Sequence, residues 1–207
     1  MPRSVDVYFS IASPWSHLGH APFMELVAKH GLTVRWRPMA LPPLFAATGG
    51  VPLPQRSPQR QRYRFVELQR WAEKRGRDIN FRPKHWPFNA QLADGAALAL
   101  VGLGEDPAGF IGAAMQGVWE QERNLADPAT VHELLVAHGL DADSALAAAA
   151  SEPVAAAYEA NRLEAERIGV FGAPAYVLDG EVFWGQDRLD LLDEALASGR
   201  PPYVADF

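Results

Sequence analysis

The segments that most restrict the fold are the strand-forming ones, and they stand at the two ends of the chain. Val5, Val7 and Phe9 alternate with Asp6, Tyr8 and Ser10, which predicts a strand. A sharp turn over Ser10–Ser13 leads into Ser13-Pro14, an N-cap followed by proline at the first helical position. That helix is expected to reach about His30 and stop at Gly31. Thr33–Arg37 alternates again as a second strand. The opening therefore reads as β-α-β, most simply two parallel strands with a right-handed crossover. At the far end, Ala175–Leu178 and Val182–Trp184 flank Asp179-Gly180, a two-residue hairpin turn. A helix then opens at Gly185-Gln186-Asp187, runs through Ala197 and closes at Gly199.

Everything between these ends reads as loop or helix. Pro42–Pro58 is rich in Pro and Gly and is expected to be a loop, as is the aromatic stretch Asp78–Asn89. Helical patterning marks Arg60–Arg75, Leu92–Gly104, Pro107–Gln121, Pro128–His138 and Ser144–Ile168, the last with room for a break at Pro153. Without its middle, the order of elements is the thioredoxin topology. The expected class is α/β, a thioredoxin-like fold with a large all-helical insertion placed as in proteins of the DsbA type. Residues 1–39 and 169–207 would form the thioredoxin-like domain, and 40–168 the insertion.

Such folds often carry Cys-x-x-Cys at the first strand-to-helix junction. Here Ser13-Pro14-Trp15-Ser16 fills it, and the 207-residue chain has no cysteine. That excludes disulfides, thiolate metal sites, a cysteine nucleophile and direct thiol-disulfide exchange. A net charge of −6 with no dense basic block argues against a nucleic-acid or anionic-membrane surface. No run approaches the roughly 18 apolar residues of a membrane span. The start of the chain lacks a signal-peptide apolar region, so a cytoplasmic location is the default expectation. His17 and His20 lie one helical turn apart, but no carboxylate motif joins them, and no metal site is expected.

Three separated features suggest a site. Ser13 caps a helix whose N-terminus carries unpaired N–H groups and partial positive charge. By itself that is a capping role. The same hydroxyl could also donate a hydrogen bond to a thiolate brought by another molecule, while the helix end stabilises the charge. No base stands beside it in the sequence, so a serine-hydrolase role is not supported. Gly172-Ala173-Pro174 is similar to the cis-proline loop of thioredoxin folds, where the residue before proline pairs with a peptide-like ligand; the alternative is an ordinary proline opening a strand. Gln186 and Asp187 stand at a helix start, where an acid is favoured anyway. There Asp187 could also hold an ammonium, and adjacent N–H groups a carboxylate. In a thioredoxin fold these positions line one cleft suited to a tripeptide thiol with a γ-glutamyl end, glutathione.

The chain resembles the 2-hydroxychromene-2-carboxylate isomerases and the related kappa-class glutathione transferases over nearly its whole length. "SPWSHLG", "FAATGG", "RYRFVELQRWAEKRG", "HWPFN" and above all "VFGAPAYVLDGEVFWGQDRLDLLDEAL" carry the resemblance. It implies a DsbA-like fold, bound glutathione, a small aromatic carboxylate substrate and a homodimer. Position by position it implies Ser13 beside the glutathione sulfur, Ala173 on the cysteinyl backbone and Pro174 as the cis-proline. Trp184, Gly185, Gln186 and Asp187 would surround the γ-glutamyl group, and Arg60 stands where relatives place a lysine near the ligand carboxylate. Glu67 takes the place of a transferase aspartate, and Gly50 departs from a frequent asparagine. Trp15, His85, Trp86, Phe88 and Asn89 are candidates for the aromatic-substrate pocket, with plain packing as the alternative for the aromatics. The activity so implied is glutathione-dependent isomerisation, which regenerates the thiol. The alternative is a kappa-type transferase, which consumes it. A third reading is a binding protein on a degenerate redox fold.

Overall fold

The computed structural model describes residues 3–205. Strand β1 (Ser4–Phe9) is followed by helix α1 (Pro14–His30) and strand β2 (Thr33–Pro38). The helices α2 (Leu41–Thr48), α3 (Pro58–Arg75), α4 (Gln91–Gly102), α5 (Ala108–Trp119), α6 (Pro128–Ala137), α7 (Ala142–Ala149) and α8 (Glu152–Arg167) come next. The chain returns to the sheet with β3 (Ala175–Leu178) and β4 (Glu181–Trp184), and ends in α9 (Leu189–Ser198). The sheet order is β2-β1-β3-β4. β1 and β2 run parallel, with Val7 opposite Trp36, while β3 is antiparallel to β1 and β4 to β3. This is the expected thioredoxin-like fold with its helical insertion.

Local chemistry explains most boundaries. Ser13 caps α1 by accepting from Ser16 N at 3.2 Å, Pro14 supplies a first position that needs no N–H, and Gly31 ends the helix at φ 61°. Pro42–Pro58, expected to be a loop, instead contains α2. Pro42 and Pro43 fall in its first turn, where the backbone N–H groups have no intrahelical acceptor, so proline breaks nothing there. Buried Leu44 ties α2 to the core, and Gly49 closes it at φ 78°. The region Ser144–Ile168, where a break at Pro153 was allowed for, is two helices, the second starting at Glu152. Ser151 caps α8, and Pro153 lies in its first turn rather than interrupting a longer helix.

The main core is continuous from the sheet into the insertion. Val5, Val7 and Phe9 of β1 belong to the same buried cluster as Leu100, Phe110, Trp119 and Leu135 of the inserted helices. Phe23 of α1 stacks on Tyr176 of β3 at 4.8 Å between ring centres. Where α1 crosses the end of the sheet, Gly19 permits close approach. A Cβ there would stand 2.6 Å from Tyr176 Oη and 2.8 Å from Gln186 Cβ. Gly19→Ala should therefore cost about 1–3 kcal/mol through overpacking. Urea denaturation checks this; an unchanged midpoint would mean that the crossing can relax.

Candidate functional site

The turn that delivers Ser13 is held from below by a buried carboxylate. Asp94, on α4, is fully buried and accepts from Ile11 N at 2.8 Å, Ser10 Oγ at 2.9 Å and Tyr158 Oη of α8 at 2.9 Å. Ser13 N then closes the turn onto Ser10 O at 3.0 Å. One acid thus ties the β1–α1 junction to two inserted helices. Burial outweighs its three donors and pushes the carboxyl up to about 7. Asp94 belongs to no motif in the sequence. The available signal was a lone acid within the apolar segment Leu92–Leu100.

Ser13 is buried, and its Oγ lies 3.5 Å from Ala173 O, a long contact that leaves the hydroxyl proton weakly committed. Trp15, at the second helical position, presents an N–H without an intrahelical acceptor. Ser16 plays a different part: its N–H completes the cap, and its buried Oγ has no hydrogen-bond partner among the described residues. The Ala173–Pro174 peptide is cis, as the resemblance to thioredoxin loops implied, and so is Trp86–Pro87.

A cleft of about 510 Å³ opens beside this junction. It brings together Trp15, Arg60, Ala173, Trp184, Gly185, Gln186 and Asp187, along with Gly50 and Glu67. Ser13 adjoins it through Ala173. Pro174 faces a smaller void between α1 and the sheet, together with Ser16 and Tyr176. Trp86, Phe88 and Asn89 do not line the cleft. Trp86 donates from Nε1 to Ala12 O at 3.0 Å and leans on Trp119, Phe88 packs on the main core, and Asn89 accepts from Gln91 N at 3.0 Å. His85 is likewise outside it.

The Gln186-Asp187 segment is held more firmly than its sequence suggests. Gln186 is buried, and Arg75 donates to both its Oε1 (3.0 Å) and its backbone O (2.9 Å). Asp187 is exposed and pairs with Arg188 at 2.6 Å, so a ligand ammonium there would share the carboxylate with a guanidinium. Trp184 lies against Phe171, 4.5 Å between ring centres, and walls one side. Gly50 packs on Phe45: an added Cβ would stand 2.7 Å from Phe45 Cδ1, so a side chain there requires the ring to move. Arg56 and Arg64 also line the cleft and were not named as site residues from sequence.

His17 and His20 of α1 are structural. His17 Nε2 lies 2.9 Å from Glu120 Oε1, which also has Arg77 Nε at 2.7 Å. Burial pushes both His17 and His20 down to about 4. His17 is therefore neutral near pH 7 and must carry its proton on Nε2 to donate to Glu120. These shifts predict a pH profile of stability. The depressed histidines contribute stability that is present above their ordinary 6.5 and lost as pH falls toward about 4. Asp94 acts oppositely: raised from 3.8 to about 7, it contributes stability present below about pH 4 and lost as pH rises through about 7. Below about pH 6.5 the two histidines outweigh the one aspartate, and near pH 7 the remaining changes of all three nearly cancel. Urea melts across pH 4.5–8 (roughly the span of these shifts) should show stability rising to about pH 7 and then staying level. Asp94→Asn should steepen the rise, because the opposing group is gone.

Known proteins share this fold. The sequence matches the family model described as the DSBA-like thioredoxin domain over residues 4–197. It is 30% identical over 198 residues to 2-hydroxychromene-2-carboxylate isomerase of Sphingobium xenophagum, covering 95% of this chain and 99% of that protein. It is 29% identical over 196 residues to the Pseudomonas putida enzyme of the same name, covering 93% of each. Among solved structures, a 2-hydroxychromene-2-carboxylate isomerase superposes with a TM-score of 0.80 at 26% identity, covering 94% of this chain and 95% of that one. The disulfide reductase DsbM from Pseudomonas aeruginosa with GSH, at TM-score 0.68 and 18% identity over 94% of this chain and 96% of that one, shares the fold. The chain belongs to the DSBA-like thioredoxin-domain family and, within it, to the 2-hydroxychromene-2-carboxylate isomerases, and is an enzyme with isomerase activity.

Proposed function

We propose that this enzyme isomerises a 2-hydroxychromene-2-carboxylate or a close aromatic analogue with glutathione as a regenerated cofactor. The observation that carries the reading is the placement of a weakly committed Ser13 hydroxyl, at the N-terminus of α1, against Ala173 of the cleft. The donor set fits glutathione. Asp187 suits its ammonium, Arg60 suits a carboxylate, and Ala173 offers a backbone position for its cysteinyl unit.

When bound, glutathione would supply a thiolate for reversible addition to the conjugated keto acid that opening of the hemiketal ring gives, so that the former double bond can rotate before elimination restores it and returns the thiol. The chain's own part is electrostatic and positional. Ser13 donates to sulfur through Oγ–H, and the helix end adds its partial positive charge, so that the anion forms near neutral pH. Asp94 holds the turn that aims Ser13. Arg75 fixes Gln186 and with it the short 3-10 turn that carries Asp187. Trp15 and Trp184 wall the cleft and limit water near the reacting atoms.

A crystal soaked with glutathione tests the placement. Sulfur within hydrogen-bond reach of Ser13 Oγ, with the γ-glutamyl end at Asp187, supports it. An empty cleft at millimolar ligand contradicts it.

A further inference from the structure

The cleft holds more positive charge than glutathione accounts for. Arg56, Arg60, Arg64 and Arg188 line it against two acids, Glu67 and Asp187. Both acids are already engaged, Glu67 by Arg70 and Asp187 by Arg188. Among the described residues, Arg56, Arg60 and Arg64 pair with no carboxylate; Arg56 donates only to a backbone oxygen, Val51 O, at 2.6 Å. They follow one another at intervals of four residues, which places Arg60 and Arg64 on one face of α3, a turn apart.

Arg64, like Arg56, is half-buried, where Arg60 is exposed, and among the described residues it alone of the three lies over aromatic rings. Its guanidinium carbon lies 5.6 Å from the centre of the Trp86 ring and 6.0 Å from that of Phe65, so aromatic faces take the place of a counter-ion. Burial, with Arg56 nearby, pushes it down to about 10. A desolvated cation without an anion is costly, and an arriving carboxylate relieves that cost while gaining charge-assisted, forked hydrogen bonds.

Resting on the proposed function, the ligand charges can be distributed. The γ-glutamyl end belongs at Asp187 and the neighbouring N–H groups, and the remaining glutathione carboxylate at Arg60. The organic acid brings one more carboxylate. We propose that Arg64 receives the carboxylate of the aromatic co-substrate and selects acids over their neutral analogues, with Arg56 as its electrostatic support. This gives Trp86 an indirect role: it is outside the cleft lining, and it backs the guanidinium that faces in.

The test compares chromone-2-carboxylate with its methyl ester, two planar ligands that differ in charge at the relevant group. Binding is measured by calorimetry on the glutathione-loaded full chain, and glutathione binding is measured separately on each variant. The wild type should prefer the acid by about 30-fold, the scale of a hydrogen bond to a charged group. In Arg64→Gln the preference should fall to within about threefold, chiefly through weaker binding of the acid, with glutathione affinity unchanged. Arg64→Lys should recover part of the preference, because a point charge replaces a fork. Equal losses for acid and ester, an unchanged preference, or weakened glutathione binding would each overturn the assignment. Failure of the wild type to bind glutathione would instead overturn the proposed function, so the two failures are separable.

Discussion

Ser13→Gly is expected to lower turnover by about 10- to 30-fold near pH 7, the most that a return of the bound thiol toward its free value can remove, while leaving the fold nearly untouched. Glycine is the informative replacement because it is itself an acceptable N-cap. Exchanging serine for glycine at that position costs only a few tenths of a kcal/mol, whereas alanine typically costs about 1 kcal/mol. The cap contact from Ser16 N is lost in either case. What glycine removes decisively is the Oγ–H directed at the cleft through Ala173. The bound thiol should then titrate closer to its free value, about 8.5 for an ordinary cysteine thiol. Ultraviolet titration of the thiolate on the protein reads this shift directly, and kcat should fall in step with the lost thiolate at the assay pH. A Ser13→Gly enzyme with full turnover and an unchanged bound-thiol pKa would show that the helix end alone suffices and that the hydroxyl only caps.

Asp94→Ala is expected to be the most damaging single change to stability among those considered. It strands three buried or half-buried donors, Ile11 N–H, Ser10 Oγ–H and Tyr158 Oη–H. Each unsatisfied group costs about 1–3 kcal/mol, partly offset because a costly buried carboxyl is removed. A net loss of about 3 kcal/mol corresponds to a fall in Tm of roughly 6–12 °C for a chain of this size. Turnover should fall as well, since the released turn is the one that positions Ser13. Asp94→Asn keeps an acceptor for Ile11 N–H and should cost about 1 kcal/mol. If Asp94→Ala melted within a degree or two of the wild type, water or a rearranged hydroxyl would have replaced the carboxylate. The tie between turn and insertion would then be dispensable.

The parts of this site that were legible in the sequence are those whose chemistry is local. A strand, a serine and a proline in a row specify the capped start of α1, and Asp179-Gly180 between short apolar runs specifies the hairpin. The convergence of Ser13, Ala173 and Gln186-Asp187 followed from topology, because strand-helix junctions and their neighbouring loops gather at one end of the sheet. Contacts between remote, individually unremarkable residues were not legible. Nothing near Asp94 in sequence announces Ser10 or Tyr158, and nothing near Gln186 announces Arg75. The α2 helix was hidden by composition: prolines usually mark loops, and only their place in the first turn makes them harmless. Trp86 and Phe88 illustrate the opposite difficulty. An aromatic loop serves a pocket or a core equally well by type, and here the rings pack inward while arginines of α3 face the cleft.

The distinctive physical feature is a junction that keeps the environment of a reactive thiol without carrying the thiol. Helix N-terminus, hydroxyl donor and backbone pairing position remain, and on the proposed function the sulfur is that of glutathione. The most direct test of that claim is a turnover assay on glutathione-free enzyme with 2-hydroxychromene-2-carboxylate, repeated as glutathione is titrated back and total free thiol is counted. The account predicts no isomerisation above background without the thiol, saturable activity as it is added, and a free-thiol count that stays constant over many turnovers. Full activity without glutathione, or its disappearance mole for mole with substrate, would contradict it.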